Sequence, residues 1–138
     1  MSRLKPEETA IVLVDHQTHL FVRWSEADYQ SMRRNAQALA QLAKIFQMPL
    51  VLVAVRGGKH HHGGPVLSQL RGLYPQAVLL QTTKLNVWEE EKVKVTLRQA
   101  GRTSIILAGV CADFGIVLPA LQASLEGYSV RVNDTATT

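Results

Sequence analysis

The chain predicts an α/β protein: a mainly parallel sheet of about five strands with helices on both faces. Three observations carry this. Short runs rich in Val, Ile and Leu recur at 10–14, 50–55, 77–80, 105–108 and 128–132, as strands do when helices cover both faces of a sheet. The stretches between them at 25–46, 66–73, 89–100 and 113–125 space their apolar residues for helices. Strand and helix thus alternate along the whole chain, which implies β-α-β units with right-handed crossovers. No internal repeat or linker interrupts the pattern, so the 138 residues read as one domain with one core.

Each element has its own signal. Residues 1–9 are a polar lead-in containing Pro6. Ala10-Ile11-Val12-Leu13-Val14 is a buried central strand that ends in Asp15, followed by a loop with His16 and His19. Ser25 caps the next helix, with Asp28 three residues on. Met32, Ala36, Leu39, Ala40, Leu42, Ala43 and Phe46 give that helix an apolar face, and Arg33, Arg34, Gln37, Gln41 and Lys44 a wet one. Pro49 stops it and 50–55 is the second strand. Residues 56–65, with four glycines and His60-His61-His62, form a mobile loop. A short helix with Leu67 and Leu70 inward leads to the third strand, 77–80. After a loop at 81–86 and Trp88, the helix 89–100 presents Val93, Val95 and Leu97, and Gly101 closes it. Residues 105–108 are the fourth strand, which turns at Gly109. From about Asp113 a helix follows, with Phe114, Val117, Leu118, Leu121 and Leu125 at helical spacing. Gly127 ends it, and 128–132 is the last strand.

Composition narrows the function. A hydrophobic share of 46% against 19% charged residues is globular rather than disordered. The net charge of +4 comes from basic residues scattered among acids, without a basic run interleaved with aromatics, which argues against nucleic acid as a partner. A single cysteine excludes an intrachain disulfide framework and a Cys-rich zinc site, and fits a reducing cytoplasm. Neither a membrane span nor a signal peptide is readable, so no membrane partner is expected.

In an open parallel sheet, chemistry sits beyond the carboxyl ends of the strands. Asp15 and Cys111 follow the first and fourth strands, and in doubly wound sheets these two ends can be neighbours at the switch point. An acid beside a thiol can take its proton and pass it to a leaving group. The ordinary alternatives are a loop-ordering acid and a small buried hydrophobe. Lys84, after the third strand, is either a charge stabiliser or a solvated lysine. Trp88 is a pocket wall or, more often for such a residue, core. Adjacent histidines rarely converge on one ion, so 60–62 are read as a solvated loop and no metal site is expected. The chain has no Gly-rich phosphate loop of the usual spacing and no Gly-x-Ser-x-Gly elbow, and no cofactor is expected.

Several phrases resemble the isochorismatase-like cysteine hydrolases, above all the subgroup with Val-Asp-His-Gln after its first strand. They are Val14-Asp15-His16-Gln17, Asn86-Val87-Trp88, Ala108-Gly109-Val110, Pro119-Ala120-Leu121 and Glu126-Gly127-Tyr128-Ser129-Val130 with Asp134. The resemblance covers essentially the whole chain. It implies a Rossmann-like three-layer α/β/α sandwich, usually oligomeric, that hydrolyses amide or related bonds of small molecules through an Asp, a Lys and a Cys. Asp15 matches the family aspartate. Counting back from Pro119 puts the family cysteine at Gly115, so Cys111 comes four residues early. The family basic residue falls near Gln81 or Thr82, and Lys84 comes late. The resemblance also implies a further helix and strand after the fifth strand, which these residues lack, so that the cover is either outside this stretch or supplied by another subunit. Two readings follow. In one, Asp15, Lys84 and Cys111 form a divergent hydrolase site. In the other, the chain keeps the fold without the chemistry and binds a small molecule or serves as an oligomeric interaction module.

Overall fold

The computed structural model describes residues 4–14, 25–55, 68–84, 86–109 and 116–133. In chain order the elements are β1 (Thr9–Val14), α1 (Glu26–Phe46), β2 (Leu50–Val55), α2 (Ser68–Leu73), β3 (Val78–Thr82), α3 (Glu91–Gln99), β4 (Ser104–Gly109), α4 (Leu118–Leu125) and β5 (Ser129–Val132). Single 3₁₀ turns at Pro6–Glu8 and Val87–Glu89 precede β1 and α3.

The sheet has the order β3-β2-β1-β4-β5 and every pairing is parallel. β1 is paired on both sides and all six of its residues are buried. Alternation along it separates two cores. Ile11 and Leu13 join Leu50, Leu52, Ile106 and Ala108 beneath α1 and α2. Ala10, Val12 and Val14 join Val51, Val53, Ile105 and Leu107 beneath α3, α4 and the turn at Trp88. The expected three-layer α/β/α sandwich is therefore present, its central strands β1, β2 and β4 apolar on both faces because both faces are covered there.

α1 starts at Ser25, whose Oγ accepts the Asp28 backbone N–H at 3.1 Å. It ends at Gln47, which adopts φ 56° and donates its N–H to Ala43 and Lys44 carbonyls. Its buried face is Met32, Ala36, Leu39, Ala40 and Ala43. Three alanines there bring the helix close to the sheet. Phe46, expected on the apolar face, is 51% exposed because it belongs to the last turn, beyond the sheet. α3 is shorter than expected, since the Val87–Glu89 turn breaks off its start; Val93 and Leu97 are buried and Val95 is half-buried.

α4 departs most from the spacing argument. Val117, Leu118, Leu121 and Leu125 are exposed, while Pro119 and Ala123 face the core and Ala120 packs against it. Small side chains make the close contact, and the large apolar ones point outward. Phe114 lies outside the described residues. Among the described residues β3 is an edge strand, with Val78 and Leu79 substantially exposed.

Candidate functional site

The crossover direction reverses at β1: β2 and β3 lie on one side of it, β4 and β5 on the other. The crevice beyond the carboxyl ends of β1 and β4 is the switch point of this sheet. The two strands end in register, Val14 opposite Gly109. Gly109 is the last residue of β4, and the reason it is glycine is spatial. A Cβ there would lie 2.8 Å from Cδ1 and 3.2 Å from Cγ1 of Ile116, and 3.3 Å from Val14 Cβ. Ile116, 3% exposed, thus folds back over the strand end and closes the core beneath the crevice.

Asp15 and Cys111 lie outside the described residues, one position after β1 and two after β4. Gly115 and all five histidines (16, 19, 60, 61 and 62) also lie outside them. Lys84 is described and exposed. Its backbone N–H donates to Thr82 Oγ1 at 3.0 Å, which folds the chain tightly after β3. β2 stands between β3 and β1, so the two strand axes are roughly 10 Å apart in the sheet plane. Thr82, one of the two positions near which the family resemblance puts a basic residue, is 4% exposed, and Gln81, the other, is exposed. Among the described residues no group of three or more His, Cys, Asp or Glu side chains is placed to hold a metal ion.

The segment after β3 is held to α4 by a clasp. Asn86, 6% exposed, accepts the Trp88 N–H on Oδ1 at 3.0 Å and donates from Nδ2 to Gln122 Oε1 at 2.8 Å. Both ends of the amide are used, as burial of an amide requires. Trp88 is core, 2% exposed, and packs edge-on against Tyr128 with ring centroids 5.1 Å apart. Its Nε1–H donates to Glu126 Oε2, and Lys94 Nζ lies 3.0 Å from Glu126 Oε1 and 5.7 Å from the Trp88 ring centre. The Trp88 hydrogen bond, followed by that of Lys94, holds the Glu126 carboxyl below its ordinary value of 4.5. The pairings of Gln122 with Asn86 and of Glu126 with Trp88 are not legible in the sequence. The partners lie 36 and 38 residues apart, and no local spacing encodes such a pairing. The phrases Asn86-Val87-Trp88 and Glu126-Gly127-Tyr128, quoted separately for the resemblance, are the two halves of this clasp.

Comparison with known proteins matches residues 9–138 to the isochorismatase domain family. The probable hydrolase YcaC of Escherichia coli (strain K12) is 29% identical over 131 residues, which is 94% of this chain and 62% of that protein. The chain thus spans less than two thirds of that relative's length. The crystal structure of the Escherichia coli YcaC gene product, an octameric hydrolase of unknown specificity, matches with a TM-score of 0.88 over 99% of this chain and 67% of its own, at 29% identity. YcaC from Pseudomonas aeruginosa, solved with hexane-2,5-diol and covalent acrylamide, gives a TM-score of 0.86 at 30% identity, covering 98% of this chain and 66% of that one. N-carbamoylsarcosine amidase from Thermoplasma acidophilum gives 0.82 at 19% identity over 95% of this chain and 84% of its own, a likeness of fold.

Proposed function

The chain belongs to the isochorismatase domain family, and on that premise we propose that it is a hydrolase acting on amide or related C–N or ester bonds of small molecules. The observation that carries the proposal is the register of β1 with β4. It ends both strands side by side at the switch point, and the next residues of the chain are Asp15 on one side and Val110-Cys111 on the other. Asp15 takes the thiol proton, and the Cys111 sulfur attacks the substrate carbonyl carbon. The C–S bond forms as the C–N or C–O bond breaks, the proton passes from Asp15 to the leaving group, and water hydrolyses the acyl-enzyme. Lys84, on the same edge across β2, stabilises the negative charge that develops on the substrate oxygen.

The YcaC relatives support this reading in two ways. One is a probable hydrolase, and the other carries covalent acrylamide, an electrophile of the kind a reactive thiolate takes up. The octameric state of the Escherichia coli protein supports a homo-oligomer here, to be checked by sedimentation. A second reading is favoured by Gly115, which occupies the position of the family cysteine: a member that keeps the fold for binding or assembly without catalysis.

Alkylation separates the two. With Cys111 as nucleophile, iodoacetamide modifies it rapidly in the native protein at neutral pH and Asp15→Asn slows the reaction at least tenfold. A thiol that reacts only after denaturation rules out the hydrolase mechanism and leaves the second reading.

A further inference from the structure

Away from the carboxyl edge, the α1/α2 layer stops short of the sheet's rim and leaves a step. Leu52 and Leu79 are register partners on β2 and β3. The former is 2% exposed and belongs to the core under α1 and α2, whereas the latter is 41% exposed. The step is the floor of a cavity of about 420 Å3, within the size range of small-molecule sites. Ala77 and the Tyr74 ring continue the apolar lining. The Tyr74 hydroxyl donates to the Met48 carbonyl at 2.9 Å, so the ring is a fixed wall. Gly72 forms part of the α2 wall, and a Cβ built there meets nothing within 4 Å. A larger side chain can therefore be accommodated at this wall without a clash at its Cβ.

Among the described residues that line the cavity, Arg71 is the charged one. It is exposed and has no ion-pair or hydrogen-bond partner among the described residues. An apolar floor beside one guanidinium, with no carboxylate among the described lining residues, complements a ligand with an apolar body and a single anionic end. We propose that this cavity is a binding site for a small apolar monocarboxylate, its hydrocarbon on Leu52, Leu79, Ala77 and Tyr74 and its carboxylate on Arg71. The site is separate from the proposed catalytic edge. Leu79 lies three residues before the end of β3, about 10 Å along the strand, and its ligand is held without any of the catalytic groups.

Hexanoate, hexan-1-ol and acetate are the probes, followed by isothermal titration and by chemical-shift changes of the Leu52 and Leu79 methyl groups. Hexanoate binds the wild type and shifts those methyls, while hexan-1-ol (body without charge) and acetate (charge without body) bind about tenfold more weakly or less. Arg71→Gln brings hexanoate down to the level of hexan-1-ol. Gly72→Leu fills the cavity and abolishes hexanoate binding; it replaces a helical glycine by a better helix former, so the fold is retained. Equal binding of hexanoate and hexan-1-ol by the wild type, or hexanoate binding unchanged in Gly72→Leu, overturns the proposal. Neither result depends on whether Cys111 is a nucleophile.

Discussion

Gly109 shows how one residue fixes the geometry of the switch point. Its missing Cβ is the space that Ile116 and Val14 use. Gly109→Ala is expected to destabilise the protein by about 1–3 kcal/mol through overpacking, and Ile116→Val, which removes Cδ1, should recover part of that loss in the double variant. Urea denaturation of the four proteins of this cycle measures it; a double variant no better than the sum of the singles would refute the contact. Glu126 makes a prediction about pH. Its folded-state value is depressed by Trp88 and Lys94, so it contributes stability above the ordinary value of 4.5 and loses that contribution as pH falls through its own lower value. Gln at this position still accepts from Trp88 Nε1 but carries no charge. Glu126→Gln should therefore be less stable than wild type near neutral pH, and the gap should close in acid. A gap independent of pH would show that charge plays no part.

At the scale of elements, helix starts and strand cores were legible because their signals are local. Ser25 was readable as a cap from its neighbours, and the structure places the expected bond on it. Ser25→Ala should cost about 1 kcal/mol, read as a lower denaturation midpoint with an unchanged m-value; no shift would mean that solvent serves the Asp28 N–H equally well. The facing of α4 was not legible. Its large residues repeat at helical spacing, but the arc that touches the sheet is set by Pro119, Ala120 and Ala123, whose small size permits close approach. Spacing reports that a helix has an apolar stripe; it does not report which of two stripes meets the sheet. The clasp of Asn86 with Gln122 was hidden for a related reason, since a buried amide finds its partner through the fold and not through sequence distance. For the site, the sequence placed Asp15 and Cys111 after adjacent strands, and the register of β1 with β4 bears out the adjacency of those strand ends.

For the whole molecule, pairing sets a gradient of protection. Among the described residues, β1 is bonded on both sides, whereas β3 and β5 each have one neighbour strand. Amide hydrogen exchange should be slowest in β1 and clearly faster in β5, whose residues are all at least partly exposed. Equal protection of β1 and β5 would mean that the sheet opens only as one unit.

The same register has a consequence during synthesis. β1 meets β2 about forty residues downstream, but its other partner, β4, lies some 95 residues further along the chain. At a ribosomal rate of about 5–20 residues per second, the nascent β1 waits roughly 5–20 s for β4. The half-sheet of β1 and β2 can close beneath α1 early, while Ala10, Val12 and Val14 still lack α3 and α4 above them. Through that interval the emerging polypeptide presents an unpaired, mostly apolar strand edge, the kind of surface that chaperones shield.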